Sequence, residues 1–154
     1  MEAANTAGII EKFFGIDPQD IRSFSPLTLA FIGDDVYDLV IRTIVVENGN
    51  APANKLHKRA SSIVKAEAQK ASMEKILPEL NEEELAVYKR GRNAKSYTKA
   101  KNASVGDYRI ATGFEALMGF LYLTGQNERL LTLIKKGLES HEREKERYRG
   151  NEGP

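Results

Sequence analysis

Apolar residues recur at helical spacing through nearly the whole chain, and no run alternates apolar and polar residues long enough to indicate a sheet. The first strong helix begins at Ser25 and Pro26, a capping residue followed by a residue that a first turn tolerates well, and continues to about Glu47. Because it is apolar on most sides, we expect it to be the central, mostly buried helix. The pattern predicts an all-α fold.

Further helices follow at regular intervals. The second is predicted over residues 54–77, where Pro78 ends it. Its core side is expected to consist of Ile63, Ala66 and Ala71. Asn81 is predicted to cap a third helix with an acidic first turn, and a loop is expected over residues 96–106.

The last two predicted helices complete one domain. They cover residues 107–123 and a segment that begins at Asn127. We therefore predict a lead-in with a short helix (1–24), a helical domain (25–138) and a charged tail (139–154). The tail is poor in apolar residues and is expected to be a fraying helix or disordered.

Composition narrows the possible chemistry. The 154 residues include no cysteine, which excludes disulfides and thiolate metal sites, and the two histidines disfavour a multi-histidine zinc site. The net charge of +1 decides nothing about a nucleic-acid partner. The first residues do not resemble a signal peptide and no apolar stretch has the length of a membrane helix, so we expect a cytoplasmic protein without a membrane partner.

Four acids interrupt otherwise apolar helices. Asp34, Asp35 and Asp38 lie in the first strong helix, and Glu115 lies among apolar residues of the fourth. Buried carboxylates are normally paired or bound to a metal, because an unpaired buried charge is costly. Asp34 and Glu115 are the main candidates. Asp35 and Asp38 are expected at a solvated helix edge, with Asp38 kept as a further candidate metal ligand.

Two glycines suggest how the main candidates meet. Gly33 and Gly119 each lie inside a helix, where glycine costs about 1 kcal/mol relative to alanine. If the helices pack through these glycines, Asp34 and Glu115 face each other and repel unless a proton or a cation lies between them. Mg²⁺, or Mn²⁺ in its place, would relieve the repulsion. The alternative is that both acids form structural ion pairs. Their possible partners are Arg42, Arg109 or a lysine.

A basic segment offers a surface for phosphates. No acid interrupts residues 89–101, which hold six lysines and arginines. Such side chains bind nucleic-acid phosphates. The candidate contacts are Arg90, Arg92, Asn93, Lys95 and Lys101, with Lys58, Tyr108 and Arg109 as further candidates. The alternative is an ordinary solvated helix end.

Taken together, these segments resemble the ribonuclease III catalytic domain. Leu29–Asp34 (LAFIGD) and Phe114–Gly119 (FEALMG) are similar to the two halves of that family's signature, and their acids lie 81 residues apart (115 − 34). Residues 90–96 (RGRNAKS), 108–109 (YR) and 56–58 (LHK) resemble the Mini-ribonuclease III branch, which has no separate double-stranded-RNA-binding domain.

The resemblance implies a specific activity. It implies the ribonuclease III all-α endonuclease fold, assembled as a homodimer, that hydrolyses double-stranded RNA with Mg²⁺-activated water to give 5′-phosphate and 3′-hydroxyl ends. Asp34 and Glu115 would be the catalytic, metal-binding residues. The implied substrate is a stem of precursor large-subunit (23S) ribosomal RNA, and an assisting ribosomal protein is a further implied partner.

The chain departs from full-length ribonuclease III at three positions. Leu27, Ala30 and Thr112 stand where that family has acids, a thinner set that the Mini-ribonuclease III branch shares. Two alternatives therefore stay open. One is a catalytically inactive RNA-binding ribosome-assembly protein of the same fold, and the other is a helical interaction module whose acids are structural.

Overall fold

The computed structural model describes the backbone of residues 5–95 and 104–151, and the side chains of these residues up to Glu139. Within these ranges the chain is helical and contains no strand, which confirms the all-α prediction. The α-helices are α1 (Thr6–Phe14), α2 (Pro26–Glu47), α3 (Ala53–Val64), α4 (Ala66–Ile76), α5 (Glu82–Asn93), α6 (Val105–Leu123) and α7 (Asn127–Asn151). Two 3₁₀ turns span Ile21–Ser23 and Leu77–Glu79. No helix in the described part of the chain is both long and apolar enough to span a bilayer.

Local capping interactions set most of the helix starts. The Ser25 hydroxyl accepts a hydrogen bond from the Thr28 amide at 3.2 Å, as expected for the start of α2. At the start of α5, the Asn81 side chain accepts the Glu84 amide at 2.8 Å, and the Glu84 carboxylate accepts the Asn81 amide at 3.0 Å. This reciprocal capping box satisfies two backbone donors at once. The Ser104 hydroxyl accepts a hydrogen bond from the Asp107 amide at 3.1 Å and caps α6, which begins at Val105.

The predicted second helix is in fact two helices. Lys65 is extended (ψ 156°) and separates α3 from α4. Because the break changes which side of the later helix faces inward, Ala71 is exposed, contrary to the prediction. The buried residues of α4 are Ala68, Gln69, Ser72, Met73 and Ile76. At the other end of the chain, α7 continues the helix to Asn151, well into the predicted charged tail.

The central helix is α6 rather than α2. Residues 111–121 of α6 are buried with the exception of the half-buried Glu115, and α6 packs against α2, α4, α5 and α7. Its Phe114 ring meets Tyr37 of α2 edge-on, with centroids 4.9 Å apart. The expectation that α2 is mostly buried is therefore wrong within one subunit, because α2 packs on α6 with one side and exposes large apolar residues on another. Phe31 is 78% exposed and Leu39 is 68% exposed.

A buried ion pair fixes one end of α5. Glu84 is only 1% exposed, and its two oxygens accept hydrogen bonds from Arg129 Nε and Nη2 of α7, each at 2.9 Å. The same guanidinium donates to the Glu79 carbonyl at 2.8 Å. Arg129 lowers the pKa of Glu84, which keeps this carboxylate charged. The start of α5 is thereby held against α7.

Glycines set the distance between α2 and α6. A Cβ atom on Gly33 would overlap the Glu115 carbonyl oxygen, and one on Gly119 would overlap the Leu29 carbonyl oxygen. The two backbones therefore touch at both places, and no other residue type fits without moving a helix. This close approach lies directly beside Asp34 and Glu115.

We predict that Gly119→Ala lowers the free energy of unfolding by at least about 2 kcal/mol, because the added methyl group must separate two packed backbones. Gly106→Ala is the matched control on the same helix. The nearest atom to a Cβ there is the Ser104 hydroxyl, 4.0 Å away. This substitution should raise stability by about 0.5–1 kcal/mol through helix propensity. Denaturant titration of both variants measures the difference, and equal stabilities would contradict the proposed close contact.

Candidate active site

A cavity of about 440 Å³ between α2 and α6 brings Asp34 and Glu115 together. Asp34 reaches it from α2, one residue after Gly33, and Glu115 reaches it from α6, one turn before Gly119. The glycine contact thus delivers both carboxylates to one space, as the spacing in the sequence suggested. The remaining lining residues are Leu27, Ala30, Phe31, Asp35, Tyr108 and Thr112.

The two carboxylates are held in an environment that opposes their charge. Burial raises the pKa of Glu115 from its ordinary 4.5 to about 7, the charge of Asp34 adds to the rise, and a hydrogen bond from Gln69 opposes it. The pKa of Asp34 is also raised, first by burial and then by the charges of Asp35 and Asp38. A cation between Asp34 and Glu115 would stabilise their charged forms and reduce the repulsion between them.

No side chain of the described chain provides that cation. Among the described side chains, neither Asp34 nor Glu115 forms an ion pair. Arg42, one of the partners considered from the sequence, instead pairs with Asp38 (Nε to Oδ2, 3.1 Å). The geometry therefore gives the structural-ion-pair alternative no support, and it places Asp38 outside the cavity wall.

The positions that lack the expected acids all face this cavity. Leu27, Ala30 and Thr112 line it together with the two carboxylates. The Thr112 hydroxyl donates to the Tyr108 carbonyl at 2.9 Å, so its oxygen keeps acceptor capacity. Over the described side chains, no cluster of three or more acidic or histidine residues has the geometry of a metal site. Two carboxylates in a roomy, partly polar cavity suit Mg²⁺, which commonly binds one or two carboxylates and keeps several waters.

The basic end of α5 lies against the cavity wall. A Cβ on Gly91 would lie 2.8 Å from both the Gly113 Cα and the Ala116 Cβ of α6, and 3.3 Å from the Thr112 carbonyl oxygen. This contact fixes the C-terminal turn of α5 beside a residue that lines the cavity. Among the described side chains, the basic residues on that turn, Arg90 and Arg92, form no ion pair with either carboxylate.

The structure separates the predicted phosphate contacts. Arg92 is half-buried, with its guanidinium carbon 5.6 Å from the Tyr88 ring centroid and its Nε donating to Asn93 Oδ1 at 3.3 Å. Arg90 instead lines a different groove, beside Ile21 of the first 3₁₀ turn. Asn93 and Lys95 are exposed at the end of α5.

The further candidates are placed unevenly. Tyr108 lines the cavity itself, and Arg109 is exposed next to it on α6. Lys58 is exposed on α3, which packs on α2 and α4, and it does not line the cavity. Lys101 lies outside the described residues. The structure therefore brings Tyr108 to the cavity of the two acids, and it brings Gly91 of α5 against the backbone of Thr112, which lines that cavity.

Sequence reasoning missed Gln69. This α4 residue is 2% exposed, and its Nε2 donates to Glu115 Oε1 at 3.3 Å and to the Val64 carbonyl at 2.9 Å. No pattern of the sequence marked it, because a glutamine in an amphipathic helix is usually a surface residue. It lies on the buried side of α4, shortly after the break at Lys65.

Comparisons with known proteins agree with this architecture. The ribonuclease III domain family matches residues 27–126. A Mini-ribonuclease 3 from Clostridium tetani is 47% identical over 136 residues, which cover 88% of this chain and 90% of that protein. A Mini-ribonuclease 3 from Enterococcus faecalis is 50% identical over 118 residues, covering 75% of this chain and 89% of that protein. The crystal structure of a protein from Fusobacterium nucleatum aligns with a TM-score of 0.71 at 32% identity, covering 80% of this chain and 98% of that chain.

The matched region contains both carboxylates, all three cavity positions that lack an acid, and the whole of α2 to α6 apart from the first residue of α2. The identity to the relatives extends over most of the chain. The chain belongs to the ribonuclease III family, in its Mini-ribonuclease III branch, and is an endoribonuclease.

Proposed function

We propose that this endoribonuclease cleaves double-stranded RNA as a Mg²⁺-dependent homodimer, with Asp34 and Glu115 as the metal-binding catalytic residues. One observation carries the proposal. Two carboxylates from different helices share a cavity that opposes their charge, and no described side chain forms an ion pair with either. A basic helix end packs beside that cavity.

The residues divide the work of phosphodiester hydrolysis. Asp34 and Glu115 would hold a Mg²⁺ ion, for which Mn²⁺ can substitute, and would orient a water. The ion would lower the pKa of that water and neutralise charge that develops on the phosphate. Arg92, Asn93 and Lys95 hold the RNA backbone at the end of α5, with Arg90 on its neighbouring face. Cleavage leaves a 5′-phosphate and a 3′-hydroxyl.

Selectivity for RNA follows from shape rather than from bases. Paired RNA is A-form, and its wide minor groove exposes 2′-hydroxyl groups to a protein surface. Asn93 and the neighbouring Tyr108 and Arg109 provide polar groups of the kind that contact ribose and phosphate. By the family resemblance, the natural substrate is a paired stem of precursor 23S ribosomal RNA, and a ribosomal protein assists.

The exposed apolar side of α2 is the proposed dimer interface. Together with α1 and α7 it lines a groove of about 540 Å³ that is largely apolar. Its apolar members are Ile10, Ile32, Val36, Leu39, Val40, Leu130 and Leu131. An apolar surface of this kind is unfavourable in water and is characteristic of protein–protein interfaces. A twofold axis there would give one site per subunit and one cut per strand.

We predict that Asp34→Asn and Glu115→Gln each abolish cleavage of a perfect RNA duplex while folding and RNA binding persist, because the amide no longer attracts the cation. Asp38→Asn is the matched control on the same helix, since Asp38 pairs with Arg42 outside the cavity wall. It should cut at a rate close to that of the wild type. The measurement is gel-resolved cleavage with and without Mg²⁺, beside a DNA duplex of equal sequence.

The outcomes separate the alternatives. Metal-dependent cutting by Asp34→Asn at the wild-type rate contradicts the proposed site. A wild-type protein that binds duplex RNA and never cuts it would be the inactive RNA-binding relative, as the residues Leu27, Ala30 and Thr112 allow. A wild-type protein that does not bind RNA would be a helical interaction module.

We predict that stability without divalent ions falls as pH rises. Because the folded-state pKa of Glu115 is about 7 and its ordinary value is 4.5, the folded state binds more protons between these values. The free energy of unfolding should decrease across this interval by up to about 3 kcal/mol and level off above it. Mg²⁺ should restore stability more strongly at pH 8 than at pH 5, because Glu115 is charged at pH 8.

Glu115→Gln should remove most of this slope and raise stability at pH 8, because the amide carries no charge to bury. Glu74→Gln, an exposed acid on α4, is the control and should keep the slope. Urea titration at pH 5 and pH 8, in chelator and in Mg²⁺, measures all three proteins. A slope that persists in Glu115→Gln would locate the titration elsewhere.

We predict that Leu39→Glu converts the dimer to a monomer, because a charge in the apolar groove cannot be desolvated. Leu77→Glu is the control, since Leu77 is 40% exposed on the second 3₁₀ turn and lies outside the groove. Sedimentation equilibrium gives the mass of each. A dimeric Leu39→Glu protein would place the interface elsewhere. A monomeric wild-type protein would contradict the proposed dimer.

A further inference from the structure

We infer that Gln69 is a positioning residue of the active site, which orients the Glu115 carboxylate for the bound cation. The inference rests on the proposed function, because it assigns a role towards the metal ion. Gln69 lies on α4, a helix that contributes no residue to the wall of the cavity. It acts only through its contact with Glu115.

The hydrogen bonds fix the orientation of the Gln69 amide. Both neighbours of its nitrogen, Glu115 Oε1 and the Val64 carbonyl oxygen, are acceptors. A rotated amide would place an oxygen against both of them, so only one orientation is favourable. The two N–H groups are thereby used, one on each acceptor. Glu115 Oε1 is held on the α4 side, and its second oxygen, Oε2, is left for a ligand.

The backbone of this region is built around that contact. The interruption of the helix at Lys65 leaves the Val64 carbonyl at the end of α3, where the Gln69 side chain donates a hydrogen bond to it. Two further contacts, made by residues that follow Gln69, hold α4 against its neighbours. Lys70 Nζ lies 3.2 Å from Asp107 Oδ1 of α6, and the Ser72 hydroxyl donates to the Gly137 carbonyl of α7 at 3.3 Å. The helix that carries the amide is therefore held against both α6 and α7.

Stability alone does not explain why glutamine occupies position 69. Within the described part of the chain its Oε1 is buried and has no hydrogen-bond partner. A buried acceptor without a donor costs free energy, and an apolar side chain of similar volume would avoid that cost. A role in orienting a metal-binding side chain would explain a buried glutamine at this position. Loss of such an orienting group typically weakens metal affinity by about 10–100-fold.

The test is the Mg²⁺ dependence of thermal stability, measured without RNA. Gln69→Leu removes the donor and keeps the volume. We expect the Mg²⁺ concentration that gives half of the maximal Tm increase to rise at least about tenfold. The Tm in chelator should stay within about 3 °C of the wild type, since the lost bonds and the removed orphan acceptor offset each other. Gln69→Met provides an unbranched second variant if Gln69→Leu does not fold.

Cleavage kinetics add a second readout. In Gln69→Leu, kcat should fall at limiting Mg²⁺ and recover at saturating Mg²⁺, while KM for the RNA duplex stays unchanged. Ser72→Ala is the matched control, because it removes a buried hydrogen bond one turn along the same helix. Ser72→Ala should lower Tm in chelator and leave the Mg²⁺ midpoint unchanged. If destabilisation of α4 were enough to weaken Mg²⁺ binding, the midpoint would shift in this variant as well.

The possible failures are distinguishable. A Mg²⁺ midpoint in Gln69→Leu equal to that of a responsive wild type contradicts the role of Gln69 and leaves the proposed function intact. An equal shift of the midpoint in Ser72→Ala also overturns it, because the effect would then be structural. A wild-type protein that Mg²⁺ neither stabilises nor activates contradicts the proposed function, and the role of Gln69 with it.

Discussion

The contact between the backbones of α2 and α6 at Gly33 and Gly119 is the constraint on which the site depends. Each glycine meets a carbonyl group of the other helix, so no side chain separates the two at these points. Because Asp34 follows one glycine directly and Glu115 precedes the other by one turn, the same contact brings both carboxylates to one cavity. Packing and chemistry are thus set by a single geometric requirement.

This arrangement places function in tension with stability. Glu115 is a carboxylic acid within the most buried stretch of the fold, between Phe114 and Ala116, which are almost fully buried. Burial and the nearby Asp34 both disfavour its charge. The surrounding apolar contacts of α6 keep the helix in place despite this cost. Strain of this kind is typical of active sites, where a ligand supplies the missing partner.

Local signals were sufficient for much of the fold, and non-local ones were not. Ser25 and Asn81 cap helices through bonds to residues three positions away, so their effect is readable from the sequence. The break at Lys65 has no such signal, because lysine is a good helix former and no proline or glycine is near. At the break, the Val64 carbonyl accepts a hydrogen bond from the Gln69 amide, which also contacts Glu115 of α6, 46 residues away along the chain. The face of α4 could therefore not be predicted, and neither could the burial of Gln69.

The thin set of acids has a physical consequence of its own. Leu27, Ala30 and Thr112 face the cavity, so this chain presents fewer carboxylates than the family pattern would supply at the same positions. Fewer like charges repel each other less when no cation is present, which makes the metal-free fold easier to maintain. With fewer carboxylates, fewer direct bonds are available to an ion. The affinity for the ion therefore depends more on the orientation of each remaining carboxylate. The hydrogen bond that Gln69 donates to Glu115 is a contact that can hold such an orientation.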